Sequence, residues 1–168
     1  VLAAISAAAM GFGGVQAADY PSKPIKLIVP FTAGSGTDII ARVISAGLQD
    51  SLKTSVVVEN LPGASGQIAA SAAAKAKPDG YTIFFTTNTT QAANVSLFKS
   101  LPYDPIKDFA PITLISETPF LLLVRRDMPV KDVKELVAWL KANPAQASYG
   151  YGNSTGQVSG AAVMKAVG

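Results

Sequence analysis

Thr32-Ala33-Gly34-Ser35-Gly36-Thr37-Asp38 joins an apolar run to a helical pattern, and its residue types suit anion recognition. Helix N-termini carry unpaired N–H groups and partial positive charge, and glycine lets a carboxylate or phosphate approach them closely. Glycine also occurs at such junctions for backbone geometry alone. Two more polar groups follow apolar runs, Asn88-Thr89-Thr90 and Asn153-Ser154-Thr155.

Several other chemistries fail on residue identity. The chain has neither His nor Cys, which removes thiol and imidazole catalysis, disulfides and the usual zinc ligands. Ser35 lies between glycines, but no His is present to deprotonate it and no Lys shares its loop. A dinucleotide fingerprint needs Gly at 34, 36 and 39, and position 39 is Ile39; Glu59 after the second strand does not compensate. No Gly-Lys-Ser/Thr phosphate loop occurs. Asp104 and Asp108 share a loop with Lys107 and lack a calcium-loop pattern, so no metal site or cofactor is expected. Hydroxyls, amides and backbone N–H groups that recognise without reacting remain. Asp38 suits either a ligand hydroxyl or amine, or the third position of a helix cap.

These groups need strands behind them and helices after them. Ile25 to Val29 reads as a strand, and Ile40, Ile44, Gly47 and Leu48 recur at helical spacing over 37–52, beside Ile39 and Val43. Ser35 and Asp38 fit a capping box. Val56 to Val58 is a second strand. Gly63-Ala64-Ser65-Gly66 opens an Ala-rich helix, Pro78-Asp79-Gly80 is a turn, and Tyr81 to Thr87 is a third strand. Asn88 to Gln91 is expected to cap a shorter helix running towards Phe98. Three such units predict an α/β fold with a parallel sheet, whose ligands sit at the carboxyl ends of the strands. Leu101 to Pro111 reads as a connecting loop, Ile112–Ile115 and Phe120–Val124 as strands, and Val133 to Leu140 as an amphipathic helix ended by Asn143-Pro144. Ser148 to Tyr151 reads as a short strand before a last helix.

Net charge is +3, from 14 Lys plus Arg against 11 Asp plus Glu, and the basic residues are scattered apart from Arg125-Arg126. Without a basic stripe interleaved with aromatics, nucleic-acid binding is not expected. Val1 to Ala17 has no charge, is rich in small apolar residues and ends Val15-Gln16-Ala17, which reads as the remnant of a secretory signal with Ala18 near the mature start.

Taken together, these residues resemble the Bug family, the periplasmic substrate-binding proteins of tripartite tricarboxylate transporters. The matching segments are YPSKPIKLIVPFTAGSGTD (20–38), VVVENLPGASGQIAA (56–70), KPDGYTIFFTT (77–87), LPYDPIKDFAPIT (101–113) and VKDVKELVAWLKANP (130–144). The resemblance implies a type II periplasmic-binding-protein fold, two α/β lobes with a cleft. Lobe 1 would span 18–117 and lobe 2 would begin at 118–168, incomplete in this chain. It implies a non-enzymatic receptor for a small carboxylate: a di- or tricarboxylate, an acidic amino acid or an aromatic acid. That receptor would be a monomer at full length and would deliver its ligand to the transporter's membrane components. Carried over by position, contacts would come from Thr32 to Asp38, from Asn88, Thr89 and Thr90, and from Asn153, Ser154 and Thr155.

Relatives often place His where this chain has Gln91 and Val158, which bears on ligand identity and leaves the fold untouched. Relatives also continue beyond Gly168, so the chain reads as a fragment, expected to bind ligand weakly or not at all by itself. The other readings at this level are an α/β enzyme using the glycine loop for a nucleotide or phosphorylated substrate, and a periplasmic sensor of the same acids.

Overall fold

The computed structural model describes residues 20–167. The expected signal remnant 1–17 and the start at Ala18 lie outside the described residues. Strand β1 (Ile25–Val29) is the centre of the fold, with β2 (Val56–Asn60) and β3 (Thr82–Phe84) parallel on its two sides in the order β2-β1-β3. Ile25 faces Val56 in register, and Leu27 faces both Val58 and Ile83. A strand flanked on both edges and covered by helices is apolar at most positions. Ile25, Leu27, Ile28 and Val29 are accordingly buried, and only Lys26 is exposed, paired with Glu59 at 2.6 Å.

Helix α1 (Gly36–Leu52) packs on β1 and β2. Its buried positions are Asp38, Ala41 and Ser45, with Leu48 and Leu52 joining the sheet core beyond them. The expected stripe through Ile40 and Ile44 lies one residue to the side, while Ile39 and Val43 are exposed. Small Ala41 and Ser45 allow close approach, and Ser45 Oγ donates to the Val56 carbonyl at 2.7 Å, which satisfies the hydroxyl inside the core. Lys53 ends the helix in the left-handed region and donates its N–H to the Gln49 carbonyl.

Helix α2 (Gln67–Ala74) follows β2, carries buried Ala69 and Ala70, and packs on β3 and β1. Right-handed crossovers running first outward to β2 and then back across β1 to β3 put α1 and α2 on opposite faces. The third strand is shorter than the expected Tyr81 to Thr87, although its flanks still pair. Lys26 N–H donates to the Tyr81 carbonyl at 2.8 Å, and Phe85 N–H to the Ile28 carbonyl at 2.9 Å. Tyr103 and Phe109 hold the expected loop 101–111 in place, Phe109 stacking on Phe84 with ring centroids 5.6 Å apart.

Three expected strands are not formed: Ile112–Ile115, Phe120–Val124 and Ser148–Tyr151 are irregular, and the first two are exposed throughout. Their residues suit strands, Phe120–Val124 as a continuous apolar run, but a strand exists only with a hydrogen-bonded neighbour, and among the described residues none lies beside them. The amphipathic helix forms as α4 (Val133–Ala142), after a short helical turn α3 (Asn94–Leu97). Asp132 caps α4 by accepting from Glu135 N–H at 2.8 Å. The last helix, α5 (Ser154–Val167), begins inside the expected polar loop. No helix of the described residues is long and apolar enough to cross a membrane.

Candidate functional site

In a parallel sheet ordered β2-β1-β3, the chain leaves β1 towards one side and later crosses back to the other. The carboxyl ends of β1 and β3 therefore flank a crevice, which is where open α/β sheets bind ligands. Both expected first-lobe loops lie there. Pro30 to Ser35 leaves β1, and Phe85 to Asn88 leaves β3.

The crevice is one end of an open trough of about 2160 Å³ along the free edge of β3. Small-ligand sites occupy roughly 300–1,000 Å³, so only part of the trough can be a site. Its flank along the sheet is apolar, with Leu27, Ile40, Ile44, Leu48, Ile83 and Phe85. Its carboxyl end is polar. Thr32, Ser35, Gly36 and Thr37 face it from the first loop, Thr86, Thr87, Asn88 and Gln91 from the third, and Gly152 and Asn153 from the approach to α5.

The first loop is held from behind. Ser35 Oγ accepts from Asp38 N–H at 3.3 Å as the capping reading expects. The Asp38 carboxylate reaches back one residue beyond the cap and accepts from Gly34 N–H at 2.8 Å. It also accepts from Arg42 Nε at 3.0 Å and Asn60 Nδ2 at 2.9 Å, and the residue is only 2% exposed. The Arg42 guanidinium, then the Gly34 and Asn60 donors, hold its pKa down at about 2. Asn60, the last residue of β2, also donates to the Phe31 carbonyl at 3.0 Å. Asp38 and Asn60 thus clamp the loop to the helix and the sheet. Gly36 and Thr37, first and second in α1, have no intrahelical acceptor for their N–H groups.

The second glycine loop, Gly63 to Gly66, supports the third. Ala64, Ser65 and both glycines have positive φ, from 46° to 121°. Gly66 is buried where Pro30 of the first loop and Thr90 of the third meet; a Cβ there would lie 2.7 Å from Thr90 Cγ2 and 3.1 Å from Pro30 Cβ. Asn94, fully buried, donates from Nδ2 to the Ser65 carbonyl at 2.9 Å, and Tyr103 hydroxyl donates to the Thr90 carbonyl at 2.6 Å. Burial pushes the Tyr103 phenol up from its ordinary value, which keeps it a neutral donor. The expected cap at Asn88 is absent. Asn88 is already helical, and Thr89–Ala93 form a π-turn, a feature frequent at functional sites.

Asn88 bonds elsewhere. Its Oδ1 accepts from Thr155 Oγ1 at 3.1 Å, and Thr155 Oγ1 lies 3.1 Å from Thr89 Oγ1. The start of α5 is thereby fastened to the loop after β3. Asn153 Oδ1 accepts from Gly156 N–H at 2.9 Å, capping α5. Ser154 is 1% exposed and its Oγ has no partner.

Of the thirteen expected site residues, Thr32, Ser35, Gly36, Thr37, Asn88 and Asn153 line the trough. Asp38, Thr89, Thr90 and Ser154 are buried behind it, and Thr155 bridges. Ala33 and Gly34 are exposed and do not line it. Asn60, Gly66, Asn94 and Tyr103 were not among the expected residues. Asn60 ends a strand beside the crevice, which is a position that strand order marks.

Residues 40–167 match the family described as "Tripartite tricarboxylate transporter family receptor". Protein BugT of Bordetella pertussis is 38% identical over 136 residues, covering 80% of this chain and 42% of that protein. A solved protein described as a periplasmic transporter superposes with a TM-score of 0.82 at 44% identity, over 88% of this chain and 50% of that one. An R. palustris protein solved with adipate gives a TM-score of 0.77 at 38% identity, over 80% and 45%. The chain spans about half the length of these relatives, and its fold is that of periplasmic binding proteins.

Proposed function

Because the chain belongs to the tripartite tricarboxylate transporter receptor family, we propose that it binds a small organic acid at the carboxyl end of the trough and hands it to the membrane components of such a transporter. The acid is a di- or tricarboxylate, an acidic amino acid or an aromatic acid. The protein is an exported, non-enzymatic receptor whose first lobe is 18–117 and whose second begins at 118–168. Closure of the two lobes makes the loaded form the one the transporter recognises, through its different affinity for open and closed states.

One observation carries this reading: two helix starts, those of α1 and α5, open on the same polar end of the trough. At each, the first amides have no acceptor within the helix, and oriented N–H dipoles favour a carboxylate without a paired cation. The family relative solved with adipate shows a ligand of that kind in such a protein.

Gly36→Pro tests it on the product of the complete gene. Proline at the first helical position costs a helix little, because the N–H it removes has no intrahelical partner. Ser35, at φ −67° and ψ 158°, already has the backbone that precedes proline readily. Titration calorimetry with a panel of di- and tricarboxylates and acidic and aromatic acids should give stoichiometric binding. Gly36→Pro should weaken it by about tenfold with the melting temperature nearly unchanged. Undiminished affinity in Gly36→Pro, or binding of nucleotides in place of acids, would sink the proposal.

A further inference from the structure

Gln91 lines the polar end of the trough from within the π-turn, and its carbonyl Oε1 is buried without any donor. A buried acceptor left unpaired is a standing cost that native sites rarely carry without a use. The terminal torsion of glutamine is broad and near two-fold, so the amide can turn over, and its oxygen gives up no hydrogen bond in doing so. Three residues further along, Asn94 Oδ1 is buried and equally without a donor. Turned over, Gln91 offers its NH₂ inward and its oxygen to the trough. Its neighbours Asn88, Thr89 and Thr155 are already bonded to one another.

An acceptor facing the ligand cannot be satisfied by an ionised carboxylate, which has no proton to donate. A hydroxyl or an ammonium on the same ligand can satisfy it. We infer that Gln91 is a specificity-determining residue, accepting a hydrogen bond from a donor group carried beside the ligand's carboxylate, so that the site selects hydroxy or amino acids over bare acids. The inference rests on the carboxylate site proposed above.

Succinate, malate and aspartate share a four-carbon diacid skeleton and differ in carrying no donor, a hydroxyl or an ammonium. Titrated into the complete gene product at pH 7, malate or aspartate should bind at least about tenfold tighter than succinate. Which of them does so identifies the donor. Gln91→Met keeps the side chain's length and removes the acceptor. It should bring the affinity ratio of the preferred acid to succinate down to about one, with the ligand-free melting temperature retained. Equal wild-type affinities for all three acids would overturn the inference and leave the carboxylate site standing. A uniform loss in Gln91→Met would overturn it too, by assigning Gln91 a structural role. If no four-carbon acid binds, adipate with its 2-hydroxy and 2-amino forms is read by the same criteria, and no binding in either series overturns both proposals. Should Gln91→Met fail to fold, Gln91→Leu is read by the same ratio, and equal wild-type affinities still overturn the inference.

Discussion

Replacing Gly66 by alanine is expected to destabilise the protein by about 2–5 kcal/mol, the sum of two separate penalties. At φ +81° a Cβ collides with its own backbone, at about 1–2 kcal/mol. The same Cβ would stand 2.7 Å from Thr90 Cγ2 and 3.1 Å from Pro30 Cβ, distances that require those residues to move. Thr90 has little freedom to do so, since it is fully buried and its carbonyl holds the Tyr103 hydroxyl. Overpacking of this kind costs about 1–3 kcal/mol. Pro30 and Thr90 belong to the two loops flanking the crevice, so ligand affinity should fall with stability. Gly47→Ala is the matched control. It lies within α1, nothing approaches its added Cβ within 4 Å, and helix propensity should stabilise it by about 0.5–1 kcal/mol. Urea unfolding of both variants measures the contrast, and a Gly66→Ala midpoint equal to wild type would show that the three loops are not packed as described.

Asp38→Ala should have the second large effect, on ligand affinity first. One carboxylate holds Gly34 N–H, Arg42 and Asn60, and alanine leaves all three donors without their acceptor while freeing the loop that leads to Gly36 and Thr37. Asp38→Asn retains one acceptor oxygen and no charge, so its affinity should fall between wild type and alanine. About a tenfold step at each substitution is the expected scale. The acid response separates the charge from the shape. The Arg42 bond and its companions lower the Asp38 pKa from 3.8 to about 2, so the fold favours the ionised form. That contribution is complete above the unfolded value near 3.8 and is lost as pH falls through about 2. Denaturation from pH 5 to pH 2 should therefore show the wild-type advantage over Asp38→Asn shrinking across the acid end of this range. An advantage independent of pH would mean that the carboxylate's charge is not what the network uses.

Local features were legible because their causes are local. The Ser35 cap, the mostly apolar run of β1, the turn before β3 and the asparagine-proline stop after α4 each depend on residues a few positions apart. Their order was enough to imply a parallel sheet and to place the polar loops at strand ends. The trough-facing residues Thr32, Ser35, Gly36 and Thr37 followed from that, because a helix start beside a strand end is a property of one short segment. Asn88 and Asn153 stood in the other two polar groups, the resemblance gave all three groups a common role, and residues 40–167 do match that family.

Period, turn chemistry and caps within one βα unit are thus readable from the residues alone. Partnership between distant segments belongs to the tertiary structure. Ala41 and Ser45 displaced the bulkier Ile40 stripe because the Val56 carbonyl stands opposite Ser45, a fact of the assembled sheet. Asp38 turned inward because Asn60, 22 residues on, arrives beside it at the end of β2. The strands expected at 112–115 and 120–124 are apolar runs with no neighbour among the described residues; composition suits them to a strand, and only a second strand supplies its hydrogen bonds. Thr155 met Asn88 across 67 residues for the same reason: hydrogen bonds reach about 3 Å in space and are indifferent to separation along the chain.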